Sequence, residues 1–145
     1  MKKKTKYEPI ILVSRNFSIE QCRINFDTLF IFGDNLERTG QGGQAVIREQ
    51  KNSCGFATKK SPSGSYLAFF KDDELEENKK IVEEEIIRLR KYAEEGAYKA
   101  ICFPFMGLGT GLSEMPIRCP GTFFYLCTRL WEEFKYNNLE GIYSK

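Results

Sequence analysis

The sequence predicts an α/β domain, a three-layer α/β/α arrangement around a mixed, largely parallel sheet. Three observations predict it. Short apolar runs recur at 9–14, 27–32 and 100–103, each of strand rather than helix length. Stretches of helical period fall between and after them. The runs at 27–32 and 100–103 each end in a glycine-rich loop followed by a helical pattern, the layout of strand–loop–helix units on a parallel sheet. With 145 residues, 41% hydrophobic and 14% aromatic, the chain is long and apolar enough for one domain with its own core.

Taken in order, Pro9-Ile10-Ile11-Leu12-Val13-Ser14 is a buried strand: short, β-branched and uncharged. Ser18-Ile19-Glu20-Gln21 opens a short helix or forms a connection. Asp27-Thr28-Leu29-Phe30-Ile31-Phe32 is a second buried strand, ended by Gly33-Asp34-Asn35. A turn-rich loop from Leu36 leads into a helix over 44–50. Residues 55–60 read as a short strand, 61–65 as a turn, and 66–70 as another strand.

Asp72-Asp73-Glu74 then starts the longest helix, its acidic first turn matching the helix dipole. Leu75, Val82, Ile86, Leu89 and Ala93 share one face, and Glu83, Glu84, Glu85, Arg88 and Lys91 are assigned mainly to a solvated one. Gly96 closes it. After the strand at 100–103 and its loop, Pro120 suits a first helical turn. Phe123, Phe124, Leu126, Cys127, Leu130, Trp131 and Phe134 then form an apolar helix whose aromatics are read as core. A last short strand is placed around Gly141-Ile142-Tyr143, and residues 1–8 are read as a flexible start to a single domain spanning 1–145.

Composition narrows the chemistry. Net charge is +2, and the lysine-rich start supplies more than that excess, so bulk charge does not call for a nucleic-acid partner. No apolar run approaches a membrane span, and the basic start lacks the apolar stretch of a signal peptide. Five scattered cysteines without a CxxC pair argue against a disulfide framework or zinc site and for a reducing compartment, the cytoplasm. The chain contains no histidine, which removes Ser-His-Asp and Cys-His catalysis and His-ligated metal at once. Neither a metal nor a cofactor is expected. Any chemistry falls to carboxylates, Lys, Tyr, Cys, backbone dipoles, or a metal held by oxygen ligands.

The two glycine-rich loops, Gly33 to Gly43 and Gly107 to Gly111, are the candidate site. Loops of this kind let backbone amides approach an anion, and two on one sheet edge can grip an extended phosphate-bearing ligand from both sides. Glycines that merely serve tight turns are the alternative. Neither loop is a GxxxxGK[ST] P-loop, and Gly107-x-Gly109-x-Gly111 is not GxGxxG, so an ordinary dinucleotide-binding domain is disfavoured.

Phe32-Gly33-Asp34-Asn35-Leu36 with Gly40-x-Gly42-Gly43-Gln44-Ala45-Val46-Ile47, and the later Phe103-Pro104-Phe105-Met106-Gly107-Leu108-Gly109-Thr110-Gly111-Leu112, resemble the two ligand-binding segments of macrodomains. Across roughly residues 28 to 134 the chain is most similar to the branch holding terminal ADP-ribose glycohydrolases and DNA ADP-ribosyl-removing antitoxins. The resemblance implies a macrodomain-like fold and an ADP-ribose or related NAD-derived ligand, free or carried by a modified macromolecule, with nucleic acid only as a modified substrate and no membrane partner. It places Gly107, Leu108, Gly109, Thr110, Gly111 and Leu112 at the pyrophosphate and Gly42, Gly43 and Gln44 near the distal ribose. Beside Gly33, Asn35 would bond a ribose hydroxyl or serve its own turn, and Asp34 would bind ligand or cap the turn. It also implies a catalytic lysine, matched by Lys59 (with Lys60 beside it), and a carboxylate, matched by Glu114, with Ser113 standing at the usual acidic position. Where many macrodomains read adenine after the first strand, this chain has Ser14-Arg15-Asn16-Phe17, in which Phe17 stacks on a base or packs inward. A hydrolase of ADP-ribosyl linkages, a non-catalytic module that senses or sequesters a nucleotide, and a protein-interaction scaffold are the functional alternatives.

Overall fold

Four segments pair as strands in the computed structural model, which describes residues 6–143: β1 (Ile10–Ser14), β2 (Thr28–Asn35), β3 (Ser53–Lys59) and β4 (Ala100–Pro104). The sheet order is β1-β4-β2-β3 and every pairing is parallel, so the expected mixed character is absent. Five α-helices join and follow them: α1 (Ile19–Ile24), α2 (Leu75–Glu95), α3 (Met115–Arg118), α4 (Pro120–Phe134) and α5 (Glu140–Tyr143).

Alternation along the strands splits the apolar side chains between two cores. Leu29, Ile31, Cys54, Phe56, Ile101 and Phe103 point to one face, where α2 (Val82, Ile86, Leu89, Ala93) and α4 (Phe123, Leu126, Leu130, Phe134) cover them. Phe30, Phe32 and Cys102 point to the other, against Cys22 of α1, Ala45 and Ile47. Helical structure therefore lies on both faces of a parallel sheet, which defines an α/β fold. The amino end of α4 is capped from a distance: the Asp72 carboxylate accepts from the amides of Gly121 (2.7 Å) and Thr122 (3.0 Å), which lack partners within the helix.

The two sheet edges differ. On β3, the Ala57 amide donates to Glu85 (2.6 Å) and the Gly55 carbonyl accepts from Arg88, so α2 side chains occupy the outer ladder. Glu85 is consequently buried, not on the solvated face of α2 to which periodicity assigns it. The same occupation explains why 66–70 is not a fifth strand. It holds a short 3-10 turn, Tyr66–Ala68, capped by the Ser65 hydroxyl. On β1, Ile10, Leu12 and Val13 are exposed, so this is an edge strand rather than a fully buried one.

Three further expectations change. The helix over 44–50 is a 3-10 turn, Gly43–Ile47, and the segment around 141–143 is the short helix α5 rather than a strand. In α4, Phe123 and Phe134 enter the core while Phe124 and Trp131 face outward. Of the start read as flexible, Met1 to Thr5 lie outside the described residues, and the Tyr7 hydroxyl donates to the Tyr98 carbonyl at 2.8 Å. No helix of the described residues is long and apolar enough to cross a membrane, and no cluster of three or more Cys, Asp or Glu among them is arranged to hold a metal ion.

Candidate functional site

Neighbouring strands β2 and β4 send their chains to opposite faces: β2 leads to the 3-10 turn on one, β4 to α4 on the other. Diverging connections open a crevice at the carboxyl edge of a parallel sheet, where ligands of open α/β sheets bind. A cavity of about 460 Å³ lies there. Gly33, Asp34, Asn35, Gly42, Gly43, Gln44, Gly107, Gly109, Thr110, Gly111, Leu112 and Lys59, all singled out by sequence, line it. Leu108 and Glu114 do not. Leu108 is fully buried in the core.

The first wall is held by charge. Asp34 receives two bonds from the Arg48 guanidinium (3.0 and 2.6 Å), with Arg38 at 3.7 Å. Arg38 in turn grips Glu85 with bonds of 2.7 and 2.6 Å. Burial would raise the Glu85 pKa, but bonds from Arg38 and the Ala57 amide, with the nearby Arg88 and Arg38 charges, hold it below the ordinary carboxylate value. Asn35 serves its own turn: it donates to Thr39 O (2.8 Å) and accepts from the Glu37 amide (3.0 Å). The Gln44 side-chain oxygen accepts from the Gly33 amide at 3.1 Å, which leaves its NH₂ group unengaged among the described residues. A side chain on Gly55 would run into Asp34, so β3 carries glycine where that carboxylate crosses it.

The second wall is held by neutral groups. The buried Asn138 carboxamide accepts from the Leu108 amide (2.7 Å) and donates to the Leu108 carbonyl (3.0 Å). Gly107 and Gly109 have φ of +94° and +84°, and a Cβ would meet Asn138 at the first and Met115 at the second. Ser113 and Thr58 share a 2.5 Å hydroxyl–hydroxyl bond that ties this loop to β3. Gly42 and Gly111 need neither an unusual φ nor the space, for a Cβ at either meets nothing within 4 Å.

Lys59 sits in the cavity wall, donating to Ser63 O at 2.9 Å, with its ammonium 4.4 Å from the Phe69 ring centre. Burial lowers its pKa and the Arg118 charge adds to this, against the opposing Glu114. The Glu114 carboxylate is bound to Arg118 at 3.0 Å. The Phe17 ring packs edge-on against Phe30, at 5.7 Å between centroids. Burial pushes the thiols of Cys102 and Cys119 up to about 12, far from reactive thiolates.

One chemical property unites the lining. The side-chain acceptors of Asp34, Asn35 and Gln44 in it are engaged within the protein, whereas the amides of Gly43, Gln44, Gly109, Gly111 and Leu112 have no bond to any described residue. With the Gln44 NH₂ and an ammonium that still has two N–H groups, they form a cavity rich in donors. Sequence reasoning missed Arg48, Thr58, Ser113 and Asn138. The first three lie close to the recognised motifs, but no local pattern marks Asn138 as a partner of Leu108.

An α/β protein with a donor-rich crevice at a parallel sheet's carboxyl edge is the class that fold and site define. Residues 12–129 match the family described as Family of unknown function (DUF7831), and the chain belongs to that family. No curated protein and no solved structure gives a significant match.

Proposed function

We propose that this chain binds ADP-ribose or a related NAD-derived nucleotide, holding the diphosphate between its two glycine-rich walls. The observation that carries the reading is the imbalance of the cavity: engaged carboxylate and carboxamide acceptors, unengaged amides from both loops, and the Lys59 ammonium. Gly42 and Gly111 support it, since close approach of a ligand is what their missing side chains permit. A volume of about 460 Å³ falls in the usual range for small-ligand sites. The resemblance to macrodomains supplies the nucleotide identity. The partner under this reading is an ADP-ribose-type small molecule or an ADP-ribosylated macromolecule, met in the cytoplasm.

The geometry favours binding over turnover. Asp34, the carboxylate lining the cavity, is paired with Arg48, and Glu114 is paired with Arg118. Hydrolysis of an ADP-ribosyl linkage is a second reading, favoured by the lowered pKa of Lys59, which makes its amine more available for attack on an opened ribose. Calorimetric titration with ADP-ribose tests the first reading. Saturable binding that Gly111→Val abolishes, while the protein stays folded, is expected. Absence of binding to the wild type overturns the nucleotide reading and favours a protein-interaction scaffold. Release of ADP-ribose from a modified protein, lost in Lys59→Ala with ligand binding retained, identifies a hydrolase.

A further inference from the structure

The guanidinium of Arg48 is committed almost completely to the loop that forms the first wall. Nε donates to Gly40 O at 2.7 Å, and one Nη donates to both Thr39 O (3.0 Å) and Asp34 Oδ1 (2.6 Å). The other Nη donates to Asp34 Oδ2 at 3.0 Å. Its plane lies over the Phe32 ring, 5.1 Å from the centroid, so packing as well as hydrogen bonding fixes its position. Asp34 cannot drift with it, because that carboxylate also faces Arg38, which is anchored on Glu85 of α2.

The consequence concerns polarity as well as shape. Thr39 O and Gly40 O are drawn onto the guanidinium, and Gly42 O accepts from the Ala45 amide at 3.1 Å. Three of the carbonyls leading into the wall are thus engaged, while the amides of Gly43 and Gln44 that follow them are not. Gly40 O has Arg48 as its partner, and Thr39 O is shared between Arg48 and the Asn35 side chain, so release from Arg48 frees the Gly40 carbonyl and loosens the next one toward the cavity, where a carbonyl repels an anion.

We propose that Arg48 is a positioning residue that sets the first wall's hydrogen-bond polarity and thereby makes the cavity selective for anions. The inference rests on the reading that the cavity binds a phosphate-bearing nucleotide. Lysine cannot substitute, since a single ammonium lacks the planar fork that reaches two carbonyls and both carboxylate oxygens together. Lys59 differs from Arg48 in kind: most of its donors are unengaged, so it acts on the ligand directly.

The test compares Arg48→Lys, Asp34→Asn and Lys59→Gln with the wild type. Backbone amide spectra are recorded without ligand, and binding of ADP-ribose and of uncharged adenosine is measured by calorimetry. In Arg48→Lys, the amide resonances of 40–44 shift, while those of 109–112 stay in place. ADP-ribose binding weakens at least tenfold, and preference over adenosine narrows. Asp34→Asn repeats the pattern more weakly and provides the same readout should Arg48→Lys fold poorly. Lys59→Gln weakens binding without moving the amides of 40–44. Arg48→Lys with unmoved loop amides overturns the proposal, whether affinity is kept or lost through a missing direct contact. If ADP-ribose fails to bind the wild type, the nucleotide reading falls, and the ligand-free spectra still decide whether Arg48 sets the loop.

Discussion

The wall at 39–44 and the wall at 106–113 are both glycine-rich, yet they are held by different forces. Gly107 and Gly109 lie at positive φ, and a side chain there would run into Asn138 or Met115, so the fold itself requires them. In the first wall, held by Arg48, Asp34, Arg38 and Glu85, Gly40 and Gly43 also lie at positive φ, whereas Gly42 adopts an ordinary negative φ beside open space. The second wall is locked by one neutral, buried carboxamide. One wall depends on ionisation and the other on packing. A motif of three glycines thus mixes positions that serve the chain with positions that leave room for something else, and steric surroundings separate them.

The largest effect is expected at the far end of the ion chain. Glu85→Ala leaves Arg38 and the Ala57 amide without their partner, a loss of roughly 3–5 kcal/mol by analogy with broken buried pairs, read by urea denaturation. Because the folded Glu85 pKa is depressed, its contribution is fully present above the unfolded value. It is lost as pH falls through the lowered folded value, so Glu85→Ala flattens the acid limb of the stability profile. An unchanged acid limb removes Glu85 from the comparison.

Asn138→Leu breaks the neutral wall. It strands the Leu108 amide and carbonyl in a buried site, at about 2–4 kcal/mol in total, a fall of roughly 10 °C in melting temperature for a domain of this size. This loss keeps its size between pH 5 and 8 if the wall is held without ionisation. A strong pH dependence there contradicts the contrast.

The glycines sharpen it further. Gly109→Ala carries an unfavourable φ and a contact with Met115, and costs roughly 1–3 kcal/mol. Gly111→Ala and Gly42→Ala change stability by less than about 0.5 kcal/mol, with their effect confined to ligand affinity in calorimetry. Equal destabilisation at Gly109 and Gly111 denies the distinction. The smallest effect is a titration: the lowered Lys59 pKa makes ADP-ribose affinity decline with rising pH earlier than an ordinary lysine allows, and Lys59→Gln removes that slope.

Local pattern was enough to place the strands at 27–32 and 100–103, the long helix after Asp72, the apolar helix after Pro120 and both glycine-rich loops. Each depends on neighbours within a few residues, and period and turn chemistry report such neighbours directly. The segment at 66–70 escaped because its composition suits a strand, whereas the edge it would join is filled by Glu85 and Arg88. Burial of Glu85 escaped for the same reason, since a charge on a helix reads as solvated until its partner is known.

The sequence by itself therefore determined an α/β chain with two glycine-rich loops after buried strands, and through its lack of histidine it excluded whole classes of catalysis. Only the tertiary structure decided which loop groups remain unengaged. It committed Asp34 to Arg48, Asn35 to its own turn and Glu114 to Arg118, and brought Lys59 into the cavity wall. The physical reason is separation along the chain. Leu108 and Asn138 are 30 residues apart, and Arg38 and Glu85 are 47 apart. Hydrogen bonds at that range depend on how sheet and helices pack, which no local periodicity encodes.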